Sequence, residues 1–249
     1  MIMGNDDSLL LEICHCPNFA LARGDSSHPC SEVVSVQSKS KEFQLPEPWT
    51  GDLVNSRLLI IASNPSIDES EAYPTSNWED NWIIDFFKHR FDEDYGWTQD
   101  GLHVLQKDRV TFAKRHVPYW AEVRKQAERI YGRGTVAGVD YTLTEVVHCK
   151  SRDRKGVKSA AKICSKKWLE RIIGFSPAKV ILVLGDEAGE MIGEFLGLDE
   201  SRISHRYLDY AGSNRWILFV PAPGSNKPRK IDGILSEDEL LELRDWINS

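Results

Sequence analysis

Four short apolar runs most constrain how this chain can fold. They cover residues 57–62, 141–147, 179–184 and 215–220. Continuous apolar runs of this length are typical of strands buried on both faces of a parallel sheet. Amphipathic helical patterns separate or follow them, at 161–173, at 186–196 and from the capping sequence that starts at Ser236. The alternation predicts an α/β fold, a three-layer α/β/α sandwich with a central four-stranded, mainly parallel sheet.

The length of 249 residues fits a single domain, predicted here over 1–249. Residues 1–50 are rich in Cys, Pro, Gly and Ser, and we predict an irregular N-terminal arm that a metal or cluster site on its cysteines ties down. Residues 66–140 are predicted to be a helical insert, with helices at about 78–90 and 104–131.

Composition limits the class of protein. Hydrophobic residues make up 41% and charged residues 28% of the chain, values that are ordinary for a globular protein. No apolar run approaches the roughly 20 residues that span a bilayer. The first residues also lack the pattern of a signal peptide. We therefore expect a cytoplasmic monomer without a membrane partner, in which five cysteines seldom form disulfides.

The charge is unevenly distributed. The net charge is −7, yet residues 150–167 carry eight Lys or Arg against one Asp, a local net of +7. Residues 68–100 carry ten acidic residues against Lys88 and Arg90. A basic segment on an acidic molecule fits a local nucleic-acid footprint, and it fits a solvated loop and helix face equally well.

Polar residues follow the predicted strands. In doubly wound sheets, ligands bind at the carboxyl ends of the strands. The segments at those ends are 63–66, 145–149, Gly185 and 221–230. These are the candidate site segments.

Two of these segments carry a family resemblance. The segment Thr-Glu-Val-Val-His-Cys at 144–149 resembles Thr-Asn-Val-Val-Lys-Cys of iron–sulfur uracil-DNA glycosylases. Ala-Ser-Asn-Pro-Ser at 62–66 resembles the Gly-x-Asn-Pro-Gly/Ser turn of the single-strand-selective and mismatch-specific branches of that superfamily. Over roughly 57–230 the chain is similar to this superfamily. The resemblance implies that Asn64 orients the attacking water, and that residue 145 recognises the flipped base.

Other residues near the first turn have expected roles. Asp68 lies close behind Asn64 and is the alternative partner for the water. Ser63 is expected to help bind the base, and Tyr73 to stack on it, because flipped bases need an aromatic platform.

Glu145 departs from the resembled family, which has Asn there. An ionised carboxylate only accepts hydrogen bonds. It suits a base that displays an amino group, as cytosine does at N4. A protonated Glu145 can also donate to a carbonyl. The remaining alternative is that Glu145 pairs with Lys150 or Arg152.

A second difference from the resembled family follows the last predicted strand. The family has a His-Pro-Ser-Pro loop, whose His donates to the departing base, whereas Val-Pro-Ala-Pro stands here at 220–223. Side chains of this loop and of the basic segment are predicted to hold DNA. They are Lys150, Arg152, Arg154, Lys155, Ser225, Asn226, Lys227, Arg229 and Lys230.

The cysteines predict a metal centre. Cys149 and Cys164 match the spacing of two cluster ligands in the resembled family, and Cys16 and Cys30 are expected to complete the set, with Cys14 as the alternative to either. Four thiolates hold a [4Fe–4S] cluster. Zinc is the alternative, since Cys₄ and Cys₃His sites use the same residue types.

These observations predict a monofunctional DNA glycosylase that flips and excises a non-canonical base by water attack. The most favoured base is a modified cytosine, such as the glucosylated hydroxymethylcytosine that phage-defence members of the superfamily remove. Uracil excision in repair and a catalytically silent DNA-binding module are the alternatives. A nucleotide- or phosphate-binding protein is less favoured, because the helix after Gly185 opens with two acidic residues.

Overall fold

A six-stranded mixed sheet lies at the centre of the structure, a computed structural model that describes residues 5–38, 40, 42–198, 205–221 and 231–249. Its strands lie in the order β1-β5-β2-β6-β8-β7. They are β1 (Trp49–Thr50), β2 (Leu58–Ala62), β5 (Tyr141–Glu145), β6 (Val180–Leu184), β7 (His205–Tyr210) and β8 (Ser213–Val220). The hairpin β3 (Thr98–Gln99) and β4 (His103–Val104) stands apart from it.

Nine α-helices are found in the described residues. They are α1 (Asn5–Cys14), α2 (Pro17–Gly24), α3 (Ser31–Ser35), α4 (Asp80–His89), α5 (Pro118–Tyr131), α6 (Val157–Cys164), α7 (Glu170–Phe175), α8 (Asp186–Leu196) and α9 (Glu237–Asn248). A π-helical turn, Ser165–Leu169, joins α6 to α7. Short 3₁₀ turns occupy Glu93–Tyr95 and Ile231–Gly233.

The sheet prediction is confirmed for the α/β class and for the four central strands, which pair parallel to one another. The strand number of four is wrong. Strand β1 adds antiparallel to β5, and β7 adds antiparallel to β8. Two residues of β1 are too few to give a pattern, and β7 mixes polar and apolar residues as an edge strand does.

Alternation along the central strands separates two apolar layers. Leu59 and Ile61 of β2 pack with α4 and the helices 157–175 and 186–196 on one face of the sheet. Leu58 and Ile60 pack with α5 and α9 on the other face. Because successive side chains of a strand point to opposite faces, each strand stabilises both layers. The arrangement agrees with the expected three layers.

The N-terminal arm is not irregular, which corrects the expectation for that part of the chain. Helices α1, α2 and α3 occupy much of residues 5–35. Leu9, Leu10 and Ile13 of α1 are fully buried in the larger apolar layer. The many Pro, Gly and Ser residues of this segment favour an irregular structure. Burial of the apolar face of α1 nevertheless stabilises the helical one.

The insert 66–140 is helical in two places. Helix α4 confirms the first predicted helix, and Phe86 and Phe87 bury its apolar face. The second predicted helix, 104–131, begins later than expected, because Pro118 occupies its first turn and the β3–β4 hairpin precedes it. No helix of the described residues has the length and apolar character that crossing a membrane requires.

Candidate active site

Two strand-end segments meet at the carboxyl edge of the sheet. The register places Ala62 beside Glu145. Beyond the strands, the main-chain amides of Val146, Val147 and Ser151 donate to the carbonyls of Ala62, Ser63 and Pro65, at 2.9, 3.0 and 3.0 Å. The turn 63–66 is therefore fixed against the segment 145–151. The structure brings together the two segments that the sequence singled out.

Asn64 is half-buried in this turn, and both ends of its amide are held. Its Nδ2 donates to the carbonyl of Pro65 at 2.9 Å, and its Oδ1 accepts from the Ser63 hydroxyl at 3.2 Å. A carbonyl oxygen has two lone pairs, so Oδ1 retains one for a further donor such as water. The Ser63 hydroxyl thus helps to orient the Asn64 amide.

Asp68 is poorly placed to replace Asn64. It is exposed, and its Oδ1 accepts from the amide and hydroxyl of Ser70, at 2.8 and 2.6 Å. These bonds close a local turn around Oδ1 and hold the carboxylate toward Ser70. Asn64 is the more buried of the two side chains.

Glu145 is the unusual group at this edge. Its side chain is 7% exposed, and its Oε2 has no hydrogen-bond partner among the described residues. Burial and the Glu47 carboxylate raise the pKa of Glu145 well above its usual value, although Lys150 acts in the opposite direction. Burial thus opposes ionisation of this carboxyl, and its neutral form carries one O–H donor and one carbonyl acceptor.

A buried set of charges, the charge network, lies beside Glu145 and comprises Glu47, Glu71, Arg90 and Lys150. Arg90 bonds to Glu71, and its Nη1 lies 3.2 Å from Glu47 Oε1. Lys150 Nζ lies 3.9 Å from a carboxylate oxygen of each acid. Two anions therefore face two cations, and attraction from both cations lowers the pKa of Glu47 against the effect of burial.

Lys150 and Tyr73 do not have the roles predicted from the sequence. Lys150 is 2% exposed and lies within the charge network, so it is not a DNA-binding residue. Tyr73 is 3% exposed, its hydroxyl donates to Glu47, and Lys150 Nζ lies 3.5 Å from its ring centroid. With the edges of Phe86 and Phe87 also against it, the ring has no free face for a base.

The sequence analysis missed Tyr119. It is half-buried in the first turn of α5, the helix that packs on the sheet face to which Glu145 belongs. Burial raises the pKa of Tyr119 well above its usual value, and the Glu145 and Glu47 carboxylates add to the effect. Tyr119 is thus an aromatic neighbour of Glu145. A Tyr beside a Pro gives no local signal of this, since its position depends on how α5 packs.

The basic segment after Lys150 is exposed. Arg152 pairs with Glu69 at 2.5 Å, and Arg154 pairs with Glu187 at 3.3 Å. The Arg152–Glu69 pair is more than half exposed on each side and is therefore weak, whereas Glu187 of the second pair is 22% exposed and its partner Arg154 is 67% exposed. Lys155 is exposed as well. The other predicted DNA contacts, Ser225, Asn226, Lys227, Arg229 and Lys230, lie outside the described residues.

Gly156 fixes this basic loop against the N-terminal arm. Its φ is 75°, and a Cβ there would lie 2.3 Å from the main-chain nitrogen of Val33 and 2.7 Å from the Glu32 carbonyl carbon. Both the positive φ and the lack of space for a Cβ require glycine at this position. Helix α3, which Cys30 precedes, is thereby held beside the segment that links Cys149 to Cys164.

Four thiols form a second buried cluster, the thiol corner: Cys16, Cys30, Cys149 and Cys164. None forms a disulfide. Burial raises the pKa of Cys149 well above its usual value, and the other three thiols raise it further. Cys14 is buried elsewhere, since its pKa responds to Glu47 and Asp80 and not to the other cysteines. Cys16, Cys30, Cys149 and Cys164 therefore lie near one another, whereas Cys14 lies near Glu47 and Asp80.

The thiol corner has the donor type of a metal centre. Three buried cysteines and the half-buried Cys149 supply the thiols that a [4Fe–4S] cluster or a zinc ion uses. Among the residues that the structure describes, however, no group of three or more His, Cys, Asp or Glu side chains is close enough to hold a metal ion as placed. A metal at this corner would require its ligands to move together on binding.

His148 lies between the two clusters. Its Nδ1 is 2.7 Å from the Glu47 carbonyl, and its Nε2 is buried without a partner among the described residues. Burial lowers the pKa of His148 to about 4, so the ring is neutral near pH 7. It packs the segment 145–149 against residues 47–49.

Comparison with known proteins gives no match. No protein-family model matches the chain, and no curated protein is similar to it at a significant level. The functional argument therefore depends on the site itself.

Proposed function

We propose that the protein is a monofunctional DNA glycosylase that excises a flipped, non-canonical base, with a modified cytosine as the favoured substrate. The observation that carries the proposal is the buried carboxyl of Glu145, with an unpartnered oxygen, at the same sheet edge as the held amide of Asn64. An unpaired buried polar atom costs free energy unless a ligand satisfies it. The carboxyl ends of parallel strands are also where such ligands bind.

The Glu145 carboxyl is compatible with a cytosine-type base. Its neutral form accepts from the amino group at N4 and donates to N3, and its ionised form accepts from N4. Uracil offers an acceptor at O4 and a donor at N3, and the neutral form can pair with these groups as well. The preference for a cytosine-type base therefore rests on the replacement of the family's Asn by Glu145, and uracil is kept as the alternative substrate.

The catalytic step needs a positioned water more than a strong base. Cleavage of the N-glycosidic bond proceeds through an oxocarbenium-like sugar, which water then attacks. Asn64 Oδ1 has a free lone pair for that water, and Ser63 fixes the amide orientation. The water adds to the sugar carbon, the bond to the base breaks, and the base leaves with the bonding electrons and takes up a proton. An abasic site and a free base result.

The thiol corner has a structural role in this proposal. Cys16, Cys30, Cys149 and Cys164 would hold a [4Fe–4S] cluster or, as the alternative, a zinc ion. When bound, that group supplies a crosslink between the N-terminal arm and the segment 149–164. The exposed side chains of Arg152, Arg154 and Lys155 are thereby presented next to the catalytic edge, where they would contact phosphates.

One observation favours a catalytically silent DNA-binding module as the second candidate. Val220 stands where the resembled family has its His, and it is 3% exposed. It offers no side-chain donor to a departing base anion. A protein that flips and holds a base without cleaving it would have the same fold and the same basic segment.

A substrate panel tests the proposal. Duplex and single-stranded oligonucleotides that carry cytosine, uracil, hydroxymethylcytosine or glucosylated hydroxymethylcytosine are incubated with protein, and abasic sites are measured by alkaline cleavage. We expect abasic products with a modified cytosine, reduced at least about 100-fold by Asn64→Ala without loss of DNA binding. Products with uracil alone would overturn the base assignment, and binding without any product would favour the silent module.

A further inference from the structure

An open pocket lies between the edge of the sheet and the last helix, away from the catalytic turn. Its volume is about 610 Å³, within the range of about 300–1,000 Å³ that is typical of ligand sites. Trp216 pairs with Val180, the first residue of β6, so the pocket lies toward the amino ends of the parallel strands, whereas Glu145 is at a carboxyl end. The lining residues are Tyr207, Trp216, Glu242, Asp245, Trp246 and Ser249.

Three aromatic rings contribute to this lining and stand at steep angles to one another. The ring centroid of Tyr207 lies 5.5 Å from that of Trp246 and 6.1 Å from that of Trp216, with interplanar angles of 77° and 70°. Tyr207 is 46% exposed, so part of its ring is accessible to a ligand. Aromatic faces attract cations, and several rings set around one position hold organic cations in proteins.

The carboxylates of Glu242 and Asp245 give the pocket a negative charge. Both residues are exposed, and neither has an ion-pair partner among the described residues. Lys179 lies beside the pocket, with Nζ 5.5 Å from the Trp246 ring centroid, but it donates to the Trp246 carbonyl and the Ser249 hydroxyl and is not part of the lining. An anion would meet two like charges, and an apolar ligand would desolvate them without compensation. The lining therefore favours a cation.

Strand β7 indicates that the cation belongs to a polypeptide. It is the last strand in the sheet order, and its outer edge pairs with no other strand in the part of the chain that the structure describes. Such an edge can accept an added strand, whose alternate side chains point to one face of the sheet. Tyr207 and its cross-strand partner Trp216 share the face on which α9 packs.

We infer that this surface binds an extended basic segment of a partner protein. The segment adds a strand beside β7 and places a Lys or Arg side chain against Tyr207 and Trp246, within reach of the α9 carboxylates. Because the pocket is at the opposite end of the strands from Asn64 and Glu145, the inference does not depend on base excision.

The test uses a peptide whose central cation can be removed without a change of shape. N-acetyl-Thr-Val-Arg-Val-Thr-amide is titrated into the isotope-labelled full chain, and the indole N–H resonances are followed by NMR. A second peptide carries uncharged citrulline in place of Arg, and a third is N-methylated at Arg and at the Val after it, which removes a donor to β7 in either register. We expect saturable shifts with the Arg peptide and about tenfold weaker binding of each of the other two.

A tyrosine variant locates the binding. Tyr207→Ala should weaken binding of the Arg peptide by about tenfold. Tyr95→Ala is the matched control, because Tyr95 is 45% exposed and lies in the insert, outside the pocket. Equal binding by the two variants, no saturable shift with the Arg peptide, or equal binding of the Arg and citrulline peptides would overturn the inference.

A carboxylate variant leaves the rings intact. Glu242→Gln combined with Asp245→Asn should also weaken the Arg peptide, whereas Glu237→Gln combined with Asp238→Asn, on the exposed first turn of the same helix, should not. Tetramethylammonium chloride separates a free cation from a peptide. If it reproduces the shifts and the N-methylated peptide binds as the parent does, strand addition is wrong and the pocket takes a free organic cation.

Discussion

The thiol corner and the charge network lie on either side of the segment 145–149, and they stabilise buried polar groups in different ways. The network contains its own counter-charges, because Arg90 and Lys150 face Glu47 and Glu71. The corner contains four cysteines, and burial and the neighbouring thiols raise the pKa of Cys149 and of Cys164. The network therefore contains its own counter-charges, whereas the corner contains thiols that can ionise only with a cation beside them. We predict from this difference that the sheet edge responds to metal on the corner side alone.

Removal of a corner thiol should have the largest effect. We expect Cys149→Ala to lose bound iron or zinc and to fall to the stability of chelator-treated wild type, because metal binding contributes to folding. Metal content by mass spectrometry of anaerobically purified protein, with absorption near 400 nm for iron, measures this. Cys14→Ala is the matched control, a buried thiol outside the corner, and should keep its metal. Equal metal content in the two variants would contradict the assignment.

Disruption of the charge network should destabilise the protein whether or not metal is bound. Arg90→Met leaves Glu47 and Glu71 with Lys150 alone, so we expect a loss of about 3–5 kcal/mol in the free energy of unfolding, with or without chelator. Lys88→Met, two residues earlier, removes contacts with Asp6 and Asp7 whose side chains are 12% and 19% exposed, less deeply buried than the network, and should cost less than Arg90→Met. Urea unfolding compares the two variants. Equal losses would mean that the network is no stronger than this partly buried pair.

Disruption of the contact between the N-terminal arm and the basic loop should have an intermediate effect on stability. Gly156→Ala combines a positive φ with a Cβ that would overlap the main chain at Val33, and we expect a loss of about 2 kcal/mol. The metal content should fall with it, since the contact holds α3 beside the corner. Gly24→Ala meets no atom within 4 Å and serves as control. An unchanged melting temperature in Gly156→Ala would show that the arm is held elsewhere.

The pH dependence of stability should show the smallest effect. The pKa of Glu145 is raised above 4.5 by burial and by Glu47, with Lys150 opposing and Tyr119 as a further neighbour. The folded protein therefore holds a proton on Glu145 more tightly than the unfolded chain does. The resulting stabilisation is complete below pH 4.5 and is lost as the pH rises through the folded-state pKa.

Glu145→Gln should remove that loss. We expect the difference in free energy of unfolding between about pH 5 and about pH 8 to be smaller in the variant, by urea unfolding at both values. Glu242→Gln, on the exposed face of α9, is the control. If Glu145→Gln keeps the wild-type difference, the carboxyl is ionised in the folded protein.

Much of this edge could be predicted because it depends on local patterns. The four apolar strands, helix α8 and the Ser236 capping box can be predicted from apolar runs, amphipathic spacing and helix-capping residues. The strand-end rule then places Asn64 near Glu145. The spacing of Cys149 and Cys164 likewise identified half of the thiol corner.

The rest depends on contacts between distant residues. Lys150 appeared to belong to an exposed basic run, since its burial requires Glu47 and Glu71, which lie far away in the chain. Tyr73 lost its expected role for the same reason, as two cations and two Phe rings cover it. Tyr119 comes beside Glu145 only when α5 packs on the sheet. No short window of sequence contains these partners.

The identity of residue 145 tests the central claim most directly. Rates of abasic-site formation are measured for wild type and Glu145→Asn on hydroxymethylcytosine and uracil strands of the same sequence. An Asn amide donates to O4 and accepts from N3–H of uracil, so we predict that the ratio of modified-cytosine to uracil excision falls by about tenfold or more in the variant. An unchanged ratio, with both proteins active, would contradict the claim that Glu145 recognises the base.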